Sequence, residues 1–279
     1  MGLHLEDKAE DVIGKAQSGL GLSDEQLSEK TGLSKESLDA LKNGGTDEAA
    51  LRAVAPALHL NANALVDLAL GRYQPEEVRL NGLLAFNTPY PVPGYEEMTV
   101  NAYLVYDPKS RDAVVFDTGA DATPILKALK EHGLTLQLIL LTHAHGDHIA
   151  DLERLQKETG NPATYISCHE PTDGAKAIEE GASFTLASLG ILALNTSGHS
   201  PGGMTYVVQG LERTVAIVGD SLFAGSMGGA ANAWQHALRN NREKILTLPP
   251  ETILCPGHGP MTTVTEERVH NPFLAPAKR

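Results

Sequence analysis

Between residues 138 and 148 the chain reads Leu-Ile-Leu-Leu-Thr-His-Ala-His-Gly-Asp-His, an apolar run that stops abruptly at three histidines and an aspartate. Burying His143, His145, Asp147 and His148 without partners would be costly. Imidazole and carboxylate groups converging on one point suit zinc, iron or manganese. His143 and His145, two apart in an extended segment, point to the same side. Asp147 and His148 follow at a bend that Gly146 permits, and can face a neighbouring position. The spacing fits two metal ions better than one.

Three later segments repeat the same order of apolar strand, glycine and ligand. They are Thr196-Ser-Gly-His199-Ser-Pro-Gly-Gly, Ala216-Ile-Val-Gly-Asp220-Ser and Ile253-Leu-Cys-Pro-Gly-His258-Gly-Pro. A lone histidine is usually structural, but a repeated strand–glycine–ligand order is not chance. Ser200 and Ser221 flank ligands and are read as hydrogen-bonding supports.

The elements that must position these residues are short β-rich runs: VNAYLVY, DAVVFD, LQLILLT, ATYIS, GMTYVVQ, TVAIVGD and ETILC. Helical stretches, notably TPILKALKEHG and IADLERLQKETG, lie between them. Strands interleaved with helices predict an α/β domain with layered sheets over 73–279. Residues 1–72 read differently, as an all-α domain of short helices with apolar positions at Leu27, Leu33, Leu38, Leu41, Leu51, Val54 and Leu58. Ser23-Asp-Glu-Gln26 is a capping box, and Gly71-Arg-Tyr-Gln-Pro75 reads as a linker.

HAHGDH, SGHSPGG, GDSLFAGS and PGHGP resemble, in order, the motifs of the metallo-β-lactamase-fold hydrolase superfamily, closest to its glyoxalase II-like branch. The resemblance runs from about Asn101 to Asn271 and implies an αββα sandwich. It implies one metal on His143, His145 and His199, a second on Asp147, His148 and His258, and Asp220 bridging both. Asp117, in VVFDTG, would be the structural aspartate that supports the ligand loop. Two divalent ions, zinc first with iron or manganese also suitable, would trap a bridging water and lower its pKa towards ~7. The resulting hydroxide would attack a small thioester or ester-like substrate, with a metal stabilising the oxyanion. Asp147 would orient the nucleophile, the one catalytic task given to a side chain. Only 21 residues follow His258, too few for the helical region with which glyoxalase II grips glutathione. Met227-Gly-Gly-Ala-Ala-Asn-Ala also replaces the arginine and polar residues common in relatives, so both departures point away from glutathione thioesters.

Within the helical segment, LSDEQLSEKTGLSKESLDALKNGG resembles the helix-turn-helix of the phage-repressor-like (Xre-type) family, with Ser34–Leu41 as recognition helix. DNA binding is not the expectation drawn from it. Residues 1–72 carry seven Lys and Arg against twelve Asp and Glu, a net of −5, and phosphate contacts supply most non-specific DNA affinity. The segment is expected to contact protein, by dimerising or by covering a wall of the active-site cleft near Tyr90 and Tyr95.

Composition bounds the rest. A net charge of −13 disfavours a nucleic-acid substrate. No apolar run reaches the ~18 residues that span a bilayer, and the charged first twenty residues lack a signal-peptide core, so a cytoplasmic protein is expected. Cys168 and Cys255 read as buried free thiols. Two rivals carry distinct tests. A persulfide dioxygenase would hold one iron on His143, His199 and Asp220, and a metal- or ligand-sensing regulator would use the helix-turn-helix on DNA. An RNase-like phosphodiesterase shares the metal motif but needs a basic tract that this chain lacks.

Overall fold

The computed structural model describes residues 3–275. Helices come first: α1 (Ala9–Leu20), α2 (Asp24–Thr31), α3 (Lys35–Lys42), α4 (Glu48–Ala57) and α5 (Ala62–Ala69). The first half of the α/β region follows as β1 (Leu83–Pro89), β2 (Thr99–Tyr106), β3 (Asp112–Phe116), α6 (Thr123–Glu131), β4 (Thr135–Leu140), α7 (Gly146–Ile149), α8 (Leu152–Glu158), β5 (Ala163–Ser167) and β6 (Lys176–Ile178). The second half comprises β7 (Ser183–Leu186), β8 (Leu189–Asn195), β9 (Met204–Gln209), β10 (Val215–Gly219), α9 (Trp234–Asn240), β11 (Ile253–Pro256), β12 (Thr262–Thr263) and α10 (Val264–His270).

The strands form two six-stranded sheets, ordered β1-β2-β3-β4-β5-β6 and β12-β11-β10-β9-β8-β7. Period-2 alternation decides which face each residue meets. On β2, Tyr103 and Val105 point into the core between the sheets, where Tyr206 and Val208 of β9 and Ile253 and Cys255 of β11 meet them. Their neighbours Ala102, Leu104 and Tyr106 point outward, under Ile125 and Leu129 of α6 and Leu155 of α8. On the second sheet Val207, Ala216, Val218 and Leu254 point outward into a third core. The layer order is therefore αββα.

That third core is where the five leading helices sit. Val12, Ile13 and Ala16 of α1, Leu51 and Val54 of α4 and Leu65 of α5 share it with Trp234, Ala237, Val264 and Phe273. The change of pattern after residue 72 is a change of secondary structure and leaves no gap in the apolar core. Tyr73, inside the expected linker, is buried; its hydroxyl donates to Glu267 Oε1 at 3.1 Å and its ring stacks on His270 at 4.6 Å. The stretch is thus a pinned connection, not a free tether. On α2 the capping box forms as read: Gln26 N–H donates to Ser23 Oγ at 3.2 Å and Ser23 N–H to Gln26 Oε1 at 2.9 Å. Cys255 is buried as expected, whereas Cys168 is only half-buried, and both are free.

The tightest docking point is Gly19 of α1, where a Cβ would come within 2.1 Å of the Trp234 ring. Gly19→Val is therefore expected to cost about 1–3 kcal/mol by overpacking, and Trp234→Ala about 3–5 kcal/mol through the cavity it leaves. Because the core is continuous, chemical denaturation followed by tryptophan-independent far-ultraviolet dichroism should show each variant lose helix and sheet in one shifted transition.

Candidate metal centre

The loops that follow β4, β8, β10 and β11 meet at one end of the sandwich, and each brings its predicted ligand. His143, His145, His199 and Asp220 present donor atoms within 4.8 Å of one another, as do Asp147, His148 and His258. The seven side chains expected from the sequence are thus brought together. In the first group the Nδ1 of His145 lies 3.0 Å from Nε2 of both His143 and His199, and Asp220 Oδ2 is 3.4 Å from His199 Nε2. In the second, His258 Nε2 lies 3.3 Å and His148 Nε2 3.7 Å from Asp147 Oδ2. Asp220 faces this group as well: Oδ1 is 3.4 Å from His148 Nε2 and Oδ2 3.4 Å from His258 Nε2. One carboxylate therefore lies between both sets of donors.

Four of the five imidazoles are oriented by their second nitrogen, a device that sets the tautomer of metal-binding histidines. His199 Nδ1–H donates to the Gly229 carbonyl at 3.0 Å and His258 Nδ1–H to the Thr99 carbonyl at 2.7 Å. His148 Nδ1–H donates to Asp117 Oδ2 at 2.8 Å. Thr142 Oγ1–H also donates to Asp117 Oδ2, at 2.7 Å, which leaves Thr142 Oγ1 to accept from His143 Nδ1–H at 3.0 Å. Four histidines consequently aim Nε2 lone pairs inward. Asp117 is the hub of this arrangement, as the sequence suggested, and also accepts from the Thr142 backbone N–H at 2.7 Å. Ser221 Oγ–H donates to the Thr196 carbonyl at 3.0 Å and Ser200 Oγ–H to Glu170 at 3.0 Å, so both serines brace the His199 loop.

The donor set fits divalent cations. A tetrahedral ion with bonds of about 2.0–2.2 Å spaces its ligands about 3.3–3.6 Å apart, and most of the separations above lie near that range. His148 Nε2 and Asp220 Oδ1 are buried with no hydrogen-bond partner, an arrangement that costs free energy unless something else satisfies them. At Gly257 a Cβ would fall 2.1 Å from Asp220 Oδ1 and 2.5 Å from His148, so only glycine lets the β11 loop close over the pair.

Several supports escape a reading by motif. The carbonyls of Thr99 and Gly229 act through the main chain, which residue type does not reveal. Asn101 left a signal: a buried amide in the apolar run of β2, it donates to the carbonyls of Pro256 at 3.0 Å and Gly259 at 2.8 Å. It holds the His258 loop against the first sheet. Tyr90 places its hydroxyl beside Gly146, the residue between His145 and Asp147 in the chain.

The family model described as the metallo-beta-lactamase superfamily matches residues 95–258, which include all seven candidate ligand residues. A Bacillus subtilis protein named "Probable metallo-hydrolase YqgX" is 33% identical, over 62% of this chain and 92% of its own length. A hydroxyacylglutathione hydrolase of Cereibacter sphaeroides is 33% identical over 56% of this chain and 61% of its own length. Among solved structures, BLEG-1 B3 metallo-beta-lactamase has a TM-score of 0.58 at 31% identity, covering 69% of this chain and all (100%) of that one. ETHE1 from Myxococcus xanthus has a TM-score of 0.57 at 26% identity, over 63% and 80% of the two chains. TTHA1623, solved in a di-iron-bound form, has a TM-score of 0.51 at 29% identity, over 67% and 99%.

Protons and cations compete for this site. Burial pulls the His148 and His258 pKa values down, but Asp220, joined by Asp117 at His148, outweighs it and raises them to about 10 and about 11. Burial and the neighbouring His148 hold His143 well below its ordinary value. Groups whose folded pKa is raised stabilise the metal-free protein fully below about 6.5, the unfolded histidine value, and lose that contribution as pH climbs through about 10. Cation binding requires neutral imidazole. Uptake at neutral pH is therefore expected to release protons and to tighten as pH rises, measurable by calorimetry in buffers of different ionisation heat. Asp117→Asn, whose amide nitrogen cannot accept from both His148 and Thr142, should weaken cation affinity by about 10–100-fold, read by chelator competition.

Proposed function

The chain belongs to the metallo-beta-lactamase superfamily, and on that premise we propose that it is a binuclear metal-dependent hydrolase of small thioester or ester-like substrates. The observation that carries this reading is the position of Asp220, 3.4 Å from His199 on one side and 3.4 Å from His148 and His258 on the other. His143, His145 and His199 would hold one ion, Asp147, His148 and His258 the other, and Asp220 both. Bound there, divalent cations supply Lewis acidity and a water whose pKa is lowered towards neutrality. Zinc suits the nitrogen-rich donor set, and iron is the alternative that the TTHA1623 likeness supports.

The side chains have separate tasks in this proposal. Asp147, whose Oδ2 lies 3.3 Å from His258 Nε2, would help hold the second ion and would orient the attacking water. Asp117 keeps His148 and His143 in the tautomers that present Nε2. A cavity of about 510 Å³ opens beside His199, lined also by Ser200, Gly229, Asn232 and His236, and would take the acyl part or leaving group. The likeness to a hydroxyacylglutathione hydrolase supports a thioester.

The likeness to ETHE1 keeps a second reading in view, a single-iron persulfide dioxygenase built on His143, His199 and Asp220. The orphaned His148 Nε2 weighs for a second ion. For the leading helices the reading assigns protein contact, not DNA recognition: Lys42, one of two lysines on α3, is paired with Asp24. Dimerisation through those helices, in place of the DNA binding that the helix-turn-helix resemblance would suggest, is part of this proposal.

Metal-reconstituted protein should hydrolyse members of a panel of thioesters and lactones and leave phosphodiesters intact. Oxygen uptake with a persulfide and one equivalent of iron would replace this reading with the dioxygenase. Asp220→Ala should lose metal from both positions in elemental analysis and lower turnover by at least about 100-fold, a loss typical of dismantled electrostatic stabilisation. Two equivalents retained in that variant would remove the bridging role.

A further inference from the structure

The loop from Ser221 to Gly229 touches three of the seven ligands. Its Gly229 carbonyl accepts from His199 Nδ1–H at 3.0 Å, its Gly228 N–H donates to the Asp220 carbonyl at 3.1 Å, and its Phe223 ring meets the His258 ring edge-on at 5.7 Å. At Ser226 and Met227 the loop is held from one side by Asn271, whose Nδ2–H donates to the Ser226 carbonyl at 2.8 Å, and by Asn241, whose Nδ2–H donates to Met227 Sδ at 3.9 Å. Further contacts come from the far end of the sequence. Asp7, buried before the start of α1, accepts from Ser226 Oγ–H and is ion-paired with Lys15 of α1. Lys15 Nζ donates to the Met227 carbonyl at 2.9 Å and lies 5.1 Å from the centre of the Phe223 ring. The strand of chain just before Asp7 crosses the other ligand loop, where a Cβ on Gly259 would meet Glu6 N at 3.0 Å and the His4 carbonyl at 3.5 Å.

We propose that Asp7 and Lys15 are positioning residues of the metal centre. The pair clamps Ser226 and Met227, and through them sets the Gly229 carbonyl that orients His199 and the Phe223 ring that backs His258. A buried carboxylate and a largely buried ammonium, each also bonded to the loop, hold one geometry where a surface ion pair would not. The helical layer thus has a local task at the reaction site beyond supplying apolar cover. The inference rests on the two-metal reading above, and it names residues that carry no ligand atom.

The test uses the full chain, loaded with cobalt(II) as an optical stand-in for the native ion. Asp7→Asn and Lys15→Met should each weaken cobalt affinity by about tenfold or more, the scale of lost outer-shell support, and change the visible absorption that reports ligand geometry. Ser226→Ala removes one hydrogen bond from the clamp, keeps the fold, and should move the spectrum in the same direction by less. Leu51→Ala, in the helical core but away from the clamp, controls for destabilisation and should unfold more easily with wild-type affinity and spectrum. Clamp variants indistinguishable from wild type, or a Leu51→Ala protein that loses affinity equally, would overturn the proposal. Wild-type protein that takes up no cobalt would overturn the two-metal reading and this inference with it, so the two failures are separable.

Discussion

A single buried carboxylate, Asp220, faces two clusters of nitrogen lone pairs, and the rest of the molecule is arranged so that this can exist. Burial raises its pKa, while the positive charge that His258 and His148 can carry lowers it further than burial raises it. Remove the cationic partner, whether proton or metal, and an anion is left in a site with no water to solvate it. The donors must therefore be held close and held still. Strand ends help, because backbone hydrogen bonding in β4, β10 and β11 fixes the main chain as far as Leu140, Gly219 and Pro256, close before His143, Asp220 and His258. The remaining freedom, rotation of the imidazole rings, is taken up by Asp117, Thr99 and Gly229.

Much of this was legible in the sequence because the ligands follow apolar strands immediately. A buried strand that ends in histidine or aspartate beside glycine is rarely anything but a ligand-bearing turn, and four such endings point both to the donor set and to the α/β class. Other elements leave a fainter trace. β8 alternates buried and exposed positions through Gly190 and Leu192, and β1 is mostly half-exposed, so neither forms a continuous apolar run. α9 is hard to see because Trp234 is its chief apolar anchor and its other face is polar.

The helical segment is instructive in a different way. Its amphipathic helices, caps and acidic surface are those of a small independent module, and local pattern carries no record of what an apolar face will cover. Here the faces of α1, α4 and α5 are turned towards α9, α10 and the outer side of the second sheet. The linker segment holds Tyr73, whose hydroxyl reaches the buried Glu267, and Glu267 in turn accepts from Gly225 N–H at the back of the Ser221–Gly229 loop. Contacts separated by about two hundred positions in the chain are invisible to any window of a few dozen residues.

The αββα layering has a consequence for how the protein comes into being. The helical layer is translated first, yet the faces that bury it belong to β9, β10, β11 and α10, which leave the ribosome last. At synthesis rates of about 5–20 residues per second, α1 waits on the order of ten seconds for Val264 and Phe273 to complete the core around it. His258 emerges only after β11, so until then a nascent chain holds an incomplete donor set. Completion of the donor set is consequently a late event in synthesis, close in time to closure of the last layer.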